Sequence, residues 1–319
     1  MADSSAPLML SISGMRGLVG RSITPDVAAR YTAAFGSWLK TARDTARPTV
    51  VLGRDSRPSG EMFENAAAAG LVSVGRKVVS VGVLSKPVEA IKGQHVEADG
   101  GIVITASHNP APWNGIKPLR HDGVAPPPEA VENIIARFKA DEADHVEVEQ
   151  LQPIETDTTG VEVHRDLVAE LVDVELLRDA KLKAVVDSVH GAGGAEAAAL
   201  LDLLGVDTVQ LYKEPTGRFP HVPEPTKENL TELCEVVARE QAHVGFAQGI
   251  NSAGVTWRWR PSRPVGGWTT SPRQRAPVWC GPPSAKPTSR PACGLMTPSS
   301  AVKATAGSSG GPSARSAIA

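Results

Sequence analysis

The sequence predicts two consecutive three-layer α/β domains followed by an irregular basic tail. Three observations carry this. Short apolar runs alternate with helical patterns through residue 248, as in βαβ units with parallel strands. The runs are apolar throughout rather than at every second position, which suits sheets covered on both faces. The composition then breaks after Gln248. Residues 1–248 hold 24 Lys+Arg and 35 Asp+Glu, while 249–319 hold 9 Lys+Arg and no Asp or Glu. The formal net charge of −2 therefore sums an acidic segment of −11 and a basic segment of +9.

The elements follow in order. Residues 26–43 read as an amphipathic helix, and 49–55 (TVVLGRD) as a buried strand bounded by Arg-Pro turns. Ser59 is placed to cap a helix running through the Ala-rich stretch to about residue 74. Strands are expected at 78–83 and 101–105, a helix at 128–140, and an acidic linker at 141–155. The second unit reads as helix 162–174, strand 183–187, helix 194–204, strand 207–212, helix 227–240 and strand 243–247. The expected domains are thus 1–155 and 156–248, with 249–319 as a separate tail. That tail has one Leu, no Phe and no sustained period, so an irregular or disordered segment is expected.

Composition excludes several classes. With 319 residues, 41% hydrophobic and 21% charged, the chain is neither a coiled coil nor collagen-like nor a disordered acidic protein. No window approaches about 18 uninterrupted apolar residues, so no membrane span is expected. The first residues have no basic region preceding an apolar core, so a secretory signal is not expected. Cys234, Cys280 and Cys293 have no metal-like or redox-like spacing, and a reducing, cytoplasmic setting is expected. Scattered Arg and unrepeated Trp in the basic tail argue against a nucleic-acid arm.

The chemistry concentrates in a few loops. Thr105-Ala106-Ser107-His108-Asn109-Pro110 follows a strand and precedes Trp113-Asn114-Gly115-Ile116-Lys117. A hydroxyl there can carry a phosphate, with nearby cations to stabilise the oxygens during transfer. A turn rich in Ser, Asn and Pro is the competing reading. Ser13-Gly14-Met15-Arg16-Gly17 presents an Arg between glycines, which suits phosphate recognition or a solvated turn. Gly53-Arg54-Asp55-Ser56-Arg57-Pro58 puts charges at a strand's carboxyl end, either for a ligand or as an Arg–Asp pair. Asp187-Ser188-Val189-His190-Gly191-Ala192-Gly193-Gly194 opens a helix, for an anion or for close packing. Phe219-Pro220-His221 and Pro223-Glu224-Pro225 read as a rigid loop, while His95 and His164 read as structural or surface residues.

Together these motifs resemble the α-D-phosphohexomutase family, which includes phosphoglucomutase, phosphomannomutase and phosphoglucosamine mutase. The matches (SGMRG, GRDSRPSG, TASHNP, NGIK, DSVHGAGG and the GRFPHVPEP loop) occur in family order over residues 8–248. The resemblance implies four domains, the first three similar α/β units. It implies that Ser107 is the phosphoserine, that His108 and Lys117 handle protons and charge, and that Arg16 contacts the phosphoryl group. Ser13, Arg16, Asn109 and Lys117 would bind substrate or phosphate. A Mg²⁺ would be held by the Ser107 phosphate and three Asp of the second domain. The implied reaction moves phosphate between C1 and C6 of a hexose phosphate through a bisphosphate. Neither nucleic acid nor membrane is an expected partner, and oligomeric state is left open.

The sequence departs from the family at one point. An Asp-x-Asp-x-Asp-Arg string should follow Gln248, where Gly249-Ile250-Asn251-Ser252-Ala253-Gly254-Val255 stands instead. The Asp ligands are therefore absent, together with the third-domain sugar loop and the fourth domain. A shift of reading frame near codon 249 is preferred to an evolved tail. Back-translating 302–308 from the third base permits Glu-Gly-Asn-Gly-Gly-Val, which resembles the missing sugar loop. Impaired mutase activity is expected, with a phosphosugar-binding or partner-binding pseudoenzyme as the alternative.

Overall fold

The structure is a computed structural model that describes residues 7–43, 45, 47–224, 226–250, 255–259, 278–280 and 293–295. It holds two sheets. The first runs β1 (Met9–Ser11), β2 (Gly14–Leu18), β6 (Trp113–Arg120), β5 (Gly100–Ile104), β3 (Thr49–Arg54), β4 (Lys77–Val83) and β7 (Ile154–Thr156) in spatial order. Strands β5, β3, β4 and β7 are mutually parallel, whereas β1, β2 and β6 join antiparallel. The expected parallel sheet is therefore mixed. The SGMRG segment, read as a loop, lies mostly in β2, which pairs with the NGIK segment in β6 so that Arg16 stands opposite Gly115.

The apolar strands divide their side chains between two faces. Val50, Leu52, Ile102 and Ile104 pack under α1 (Pro25–Arg43) and α2 (Gly60–Ser73), with Ile134 and Phe138 of α4 (Pro128–Ala140). Val51, Val79 and Val81 pack on the opposite face with Val88 of α3 (Lys86–His95). This is why the strands lack alternation: both faces are dry. Helix α3 was not anticipated from the sequence, its pattern being broken by a buried Glu89 and Lys92.

Two local expectations are corrected. Ser59 holds the N-cap position of α2, but its hydroxyl does not cap. It accepts instead from Asn114 Nδ2 at 2.9 Å. The acidic linker 141–155 contains a 3₁₀ turn and most of β7, which extends the first sheet beside β4.

The second sheet runs β13 (Cys293–Leu295), β12 (Val278–Cys280), β11 (Val255–Trp259), β10 (Val244–Ala247), β8 (Lys183–Asp187) and β9 (Asp207–Leu211). Strands β10, β8 and β9 are parallel, as the alternation predicts. The expected helix at 162–174 is two helices, α5 (Gly160–Ala169) and α6 (Val174–Asp179), because Asp173 caps the second by accepting from the Leu176 N–H. Helix α7 is Gly194–Leu203 and α8 is Thr231–Arg239. Leu233, Val236 and Val237 of α8 cover Val185 of β8. Cys234 is buried on α8. The tail expected to be irregular falls largely outside the described residues, apart from the three short strands β11, β12 and β13.

Candidate active site

The parallel strands β3 and β5 end side by side, with Arg54 opposite Ile104. The loops leaving them, 55–58 and 105–110, are therefore neighbours at the carboxyl edge of the sheet, where open α/β sheets receive ligands. Ser107 lies in the second loop with φ of +61°, a left-handed backbone uncommon for a residue with a Cβ. Its N–H donates to Thr105 Oγ1 at 3.0 Å, and Thr105 Oγ1 donates to Asp55 Oδ2 at 2.6 Å.

Asp55 and Arg57 settle the choice left open for GRDSRP in favour of an ion pair, with Arg57 Nε 3.1 Å from Asp55 Oδ2. The pair does more than neutralise itself. Arg57 Nη2 donates to the carbonyls of Ser107 and Asn109 at 3.1 and 2.6 Å. Nη1 donates to those of Pro110 and Trp113 at 2.7 and 3.1 Å. A guanidinium has five N–H donors, and all five are matched. Burial pushes the Asp55 carboxyl up and the Arg57 guanidinium down, while each one's charge opposes the other's shift. The loop carrying Ser107 is thus wound around one buried cation. These carbonyl contacts are not legible in the sequence.

The other anticipated residues gather from β2 and β6. Arg16 Nη1 reaches Asn109 Oδ1 at 3.5 Å. Gly115 makes this approach feasible, because a Cβ there would lie 2.4 Å from the Met15 carbonyl and 2.8 Å from Arg16 Cγ. Lys117 is half-buried on β6, and burial, then the charges of Arg16 and Lys86, lower its ammonium to about 8. His108 is exposed and Ser107 and Asn109 are half-buried, so the loop opens to solvent. Ser13 sits exposed in the β1–β2 turn, its N–H donating to Ser11 Oγ at 3.2 Å. Ser107, Asn109, Arg16 and Lys117 therefore share one edge. The loop that carries the Ser107 hydroxyl thus lies at an edge that also bears two cationic side chains, an arrangement suited to an anionic group.

The second sheet contributes its own carboxyl edge. Asp187 ends β8 and accepts from the Val189 N–H at 3.0 Å. Val189 and His190 are both left-handed, at φ of 49° and 54°, which is strained for a β-branched residue. His221 Nε2 lies 2.9 Å from Asp187 Oδ2, and this bond raises the imidazole's affinity for a proton. The glycine-rich opening of α7 is packed tightly. Gln248 Nε2 donates to the Gly193 carbonyl at 3.1 Å, and the Ala192 N–H donates to the Ile250 carbonyl at 3.0 Å. Close packing therefore accounts for those glycines.

The donor set does not fit the implied Mg²⁺. Among the described residues no three His, Cys, Asp or Glu come together as a metal site, and residues 249–319 contain no Asp or Glu. A hard cation needs several oxygen ligands, and Ser107 alone cannot provide them.

Comparison with known proteins gives a consistent picture. The family described as phosphoglucomutase/phosphomannomutase, alpha/beta/alpha domain I, matches residues 9–145, and the corresponding domain II matches 162–249. A phosphoglucomutase/phosphomannomutase of Thermococcus kodakarensis is 36% identical over 236 residues, covering 74% of this chain and 51% of that protein. A phosphoglucosamine mutase of Alkaliphilus oremlandii is 34% identical over 254 residues, covering 77% of this chain and 53% of that protein. The crystal structure of a phosphoglucomutase/phosphomannomutase family protein from Burkholderia thailandensis superposes with a TM-score of 0.62 at 27% identity, covering 78% of this chain and 56% of that one. The chain spans about half the length of the curated relatives it matches.

Proposed function

Because the chain belongs to the phosphoglucomutase/phosphomannomutase family, we propose that its two α/β units form the phosphoryl-carrying half of a phosphohexomutase. In this reading Ser107 is the group phosphorylated. The P–O bond to Ser107 Oγ breaks as a new bond forms to a C1 or C6 hydroxyl of a hexose phosphate. The hydroxyl's proton leaves, and Oγ regains one when it departs unphosphorylated. Arg16 and Lys117 offer positive charge to the phosphoryl oxygens, Asn109 holds Arg16, and Ser13 and His108 line the exposed rim. The observation that carries the reading is Ser107 at the edge shared by Asn109, Arg16 and Lys117.

Sustained turnover is impaired in this chain, because the carboxylates that would hold Mg²⁺ are missing from 249–319. The test is mass spectrometry of the chain after incubation with glucose 1,6-bisphosphate. One phosphoryl group is expected on Ser107, loaded slowly because that transfer lacks the same Mg²⁺, with none on S107A and little conversion of glucose 1-phosphate. Label on another residue, or none, would overturn the reading. The same missing carboxylates favour a second reading, phosphosugar binding without transfer. That reading expects a titration heat with glucose 6-phosphate and no label.

A further inference from the structure

Resting on the phosphoseryl reading, we propose that the loop 216–221 of the second unit is a strap that positions Ser107 by bracing Arg57. Every side-chain N–H of Arg57 is used in the plane of the guanidinium, on Asp55 and on four carbonyls of the Ser107 loop. Only the flat faces remain for another group to hold. Arg57 Cζ lies over the Phe219 ring, 5.8 Å from its centroid. An arginine stacked on an aromatic face is attracted by the ring's negative face as well as by contact.

The strap is anchored on both sides of this contact. Before it, the Gly217 N–H donates to the His190 carbonyl at 3.1 Å. After it, His221 is bonded to the buried Asp187. Gly217 itself presses on the first unit. Its φ is +66°, and a Cβ there would lie 2.1 Å from the Ser56 carbonyl, next to Arg57. The second unit thus reaches over and holds the residue around which the Ser107 loop is wound. Phe219 and Gly217 touch no reacting atom, so they are positioning residues.

Amide hydrogen exchange of the full chain tests this without relying on activity. The Ser107 and Asn109 amides report the loop, because they donate to Thr105 Oγ1 and the Ala106 carbonyl. F219L removes the aromatic face and should speed their exchange at least about two- to fivefold, the value of an exposed cation–π contact, since burial of Arg57 strengthens this one. F219Y keeps the ring and should restore the wild-type rate. G217A should speed the exchange further, because Ala is strained at positive φ and also collides with Ser56. The initial rate of Ser107 labelling by glucose 1,6-bisphosphate should fall in the same order.

Unchanged loop exchange in F219L, or equal acceleration in F219L and F219Y, would overturn the strap. So would faster exchange confined to β8 and β9. If wild-type Ser107 takes no label while exchange responds as described, the phosphoseryl reading falls and the strap stands. The two failures are therefore read separately.

Discussion

Arg57 shows what a sequence can and cannot reveal about one residue. TASHNP was legible as a special loop because Ser, Asn and Pro after an apolar strand announce a turn. The role of Arg57 was not, because its acceptors lie about 50 residues further along the chain and are backbone carbonyls of no particular residue type. Lys117 was legible as a cation, but its depressed affinity for protons was not, since that comes from burial beside Arg16 and Lys86. The depression gives a pH dependence. Lys117 is charged below about 8 and loses its charge as the pH rises through that value. If its role is to neutralise phosphoryl oxygens, the initial rate of Ser107 labelling should fall across pH 7.5–9. K117R, which stays charged, should remove most of that fall, whereas a rate rising over the same range would show Lys117 acting as a base.

At the scale of elements, periodicity located the buried strands and most of the long helices. It missed β2 and β6, because strands of the form GMRGL and WNGIKPLR carry glycines and charges that look like loop. Both charges nevertheless stand in paired strands at the sheet edge beside the Ser107 loop. One cross-element contact was also invisible. Glu196, in the first turn of α7, accepts the N–H of Ser85 at 2.6 Å, where Ser85 is the N-cap residue of α3 in the other unit. Glu196 is 4% exposed, and burial lifts its carboxyl to about 6, with the Ser85 hydrogen bonds opposing the shift. A carboxyl whose affinity for protons is higher in the folded state costs stability as pH rises from its unfolded value, near 4.5, through about 6. E196Q keeps the accepting oxygen and discards the charge. It should therefore gain about 1–2 kcal/mol at pH 7.5 and almost nothing at pH 4.5, read as the shift in urea midpoint. A loss at pH 7.5 would show that the ionised carboxylate is needed to hold α3.

For the molecule as a whole, two successive α/β units were legible from alternation, and the break after Gln248 from charge alone. How the two units meet was not, because Phe219 on Arg57 and Glu196 on Ser85 are single contacts between distant segments. The same break predicts behaviour toward Mg²⁺. A ligand stabilises a fold only by binding it, and this chain lacks the carboxylates that the family's metal loop would provide. Its thermal midpoint should be the same in millimolar MgCl₂ and in EDTA. A rise of several degrees with Mg²⁺ would reveal a donor set assembled some other way. Finally, the saturated guanidinium of Arg57 decides which backbone groups of the Ser107 loop face outward. In a planar trans peptide the carbonyl and the following N–H point in opposite directions, and the chain has no cis bonds among the described residues. Drawing the carbonyls of Ser107 and Pro110 inward therefore turns the N–H groups of His108 and Ala111 outward. The lone pairs that would repel an incoming anion are folded away behind the loop, and its outer rim is edged with donors.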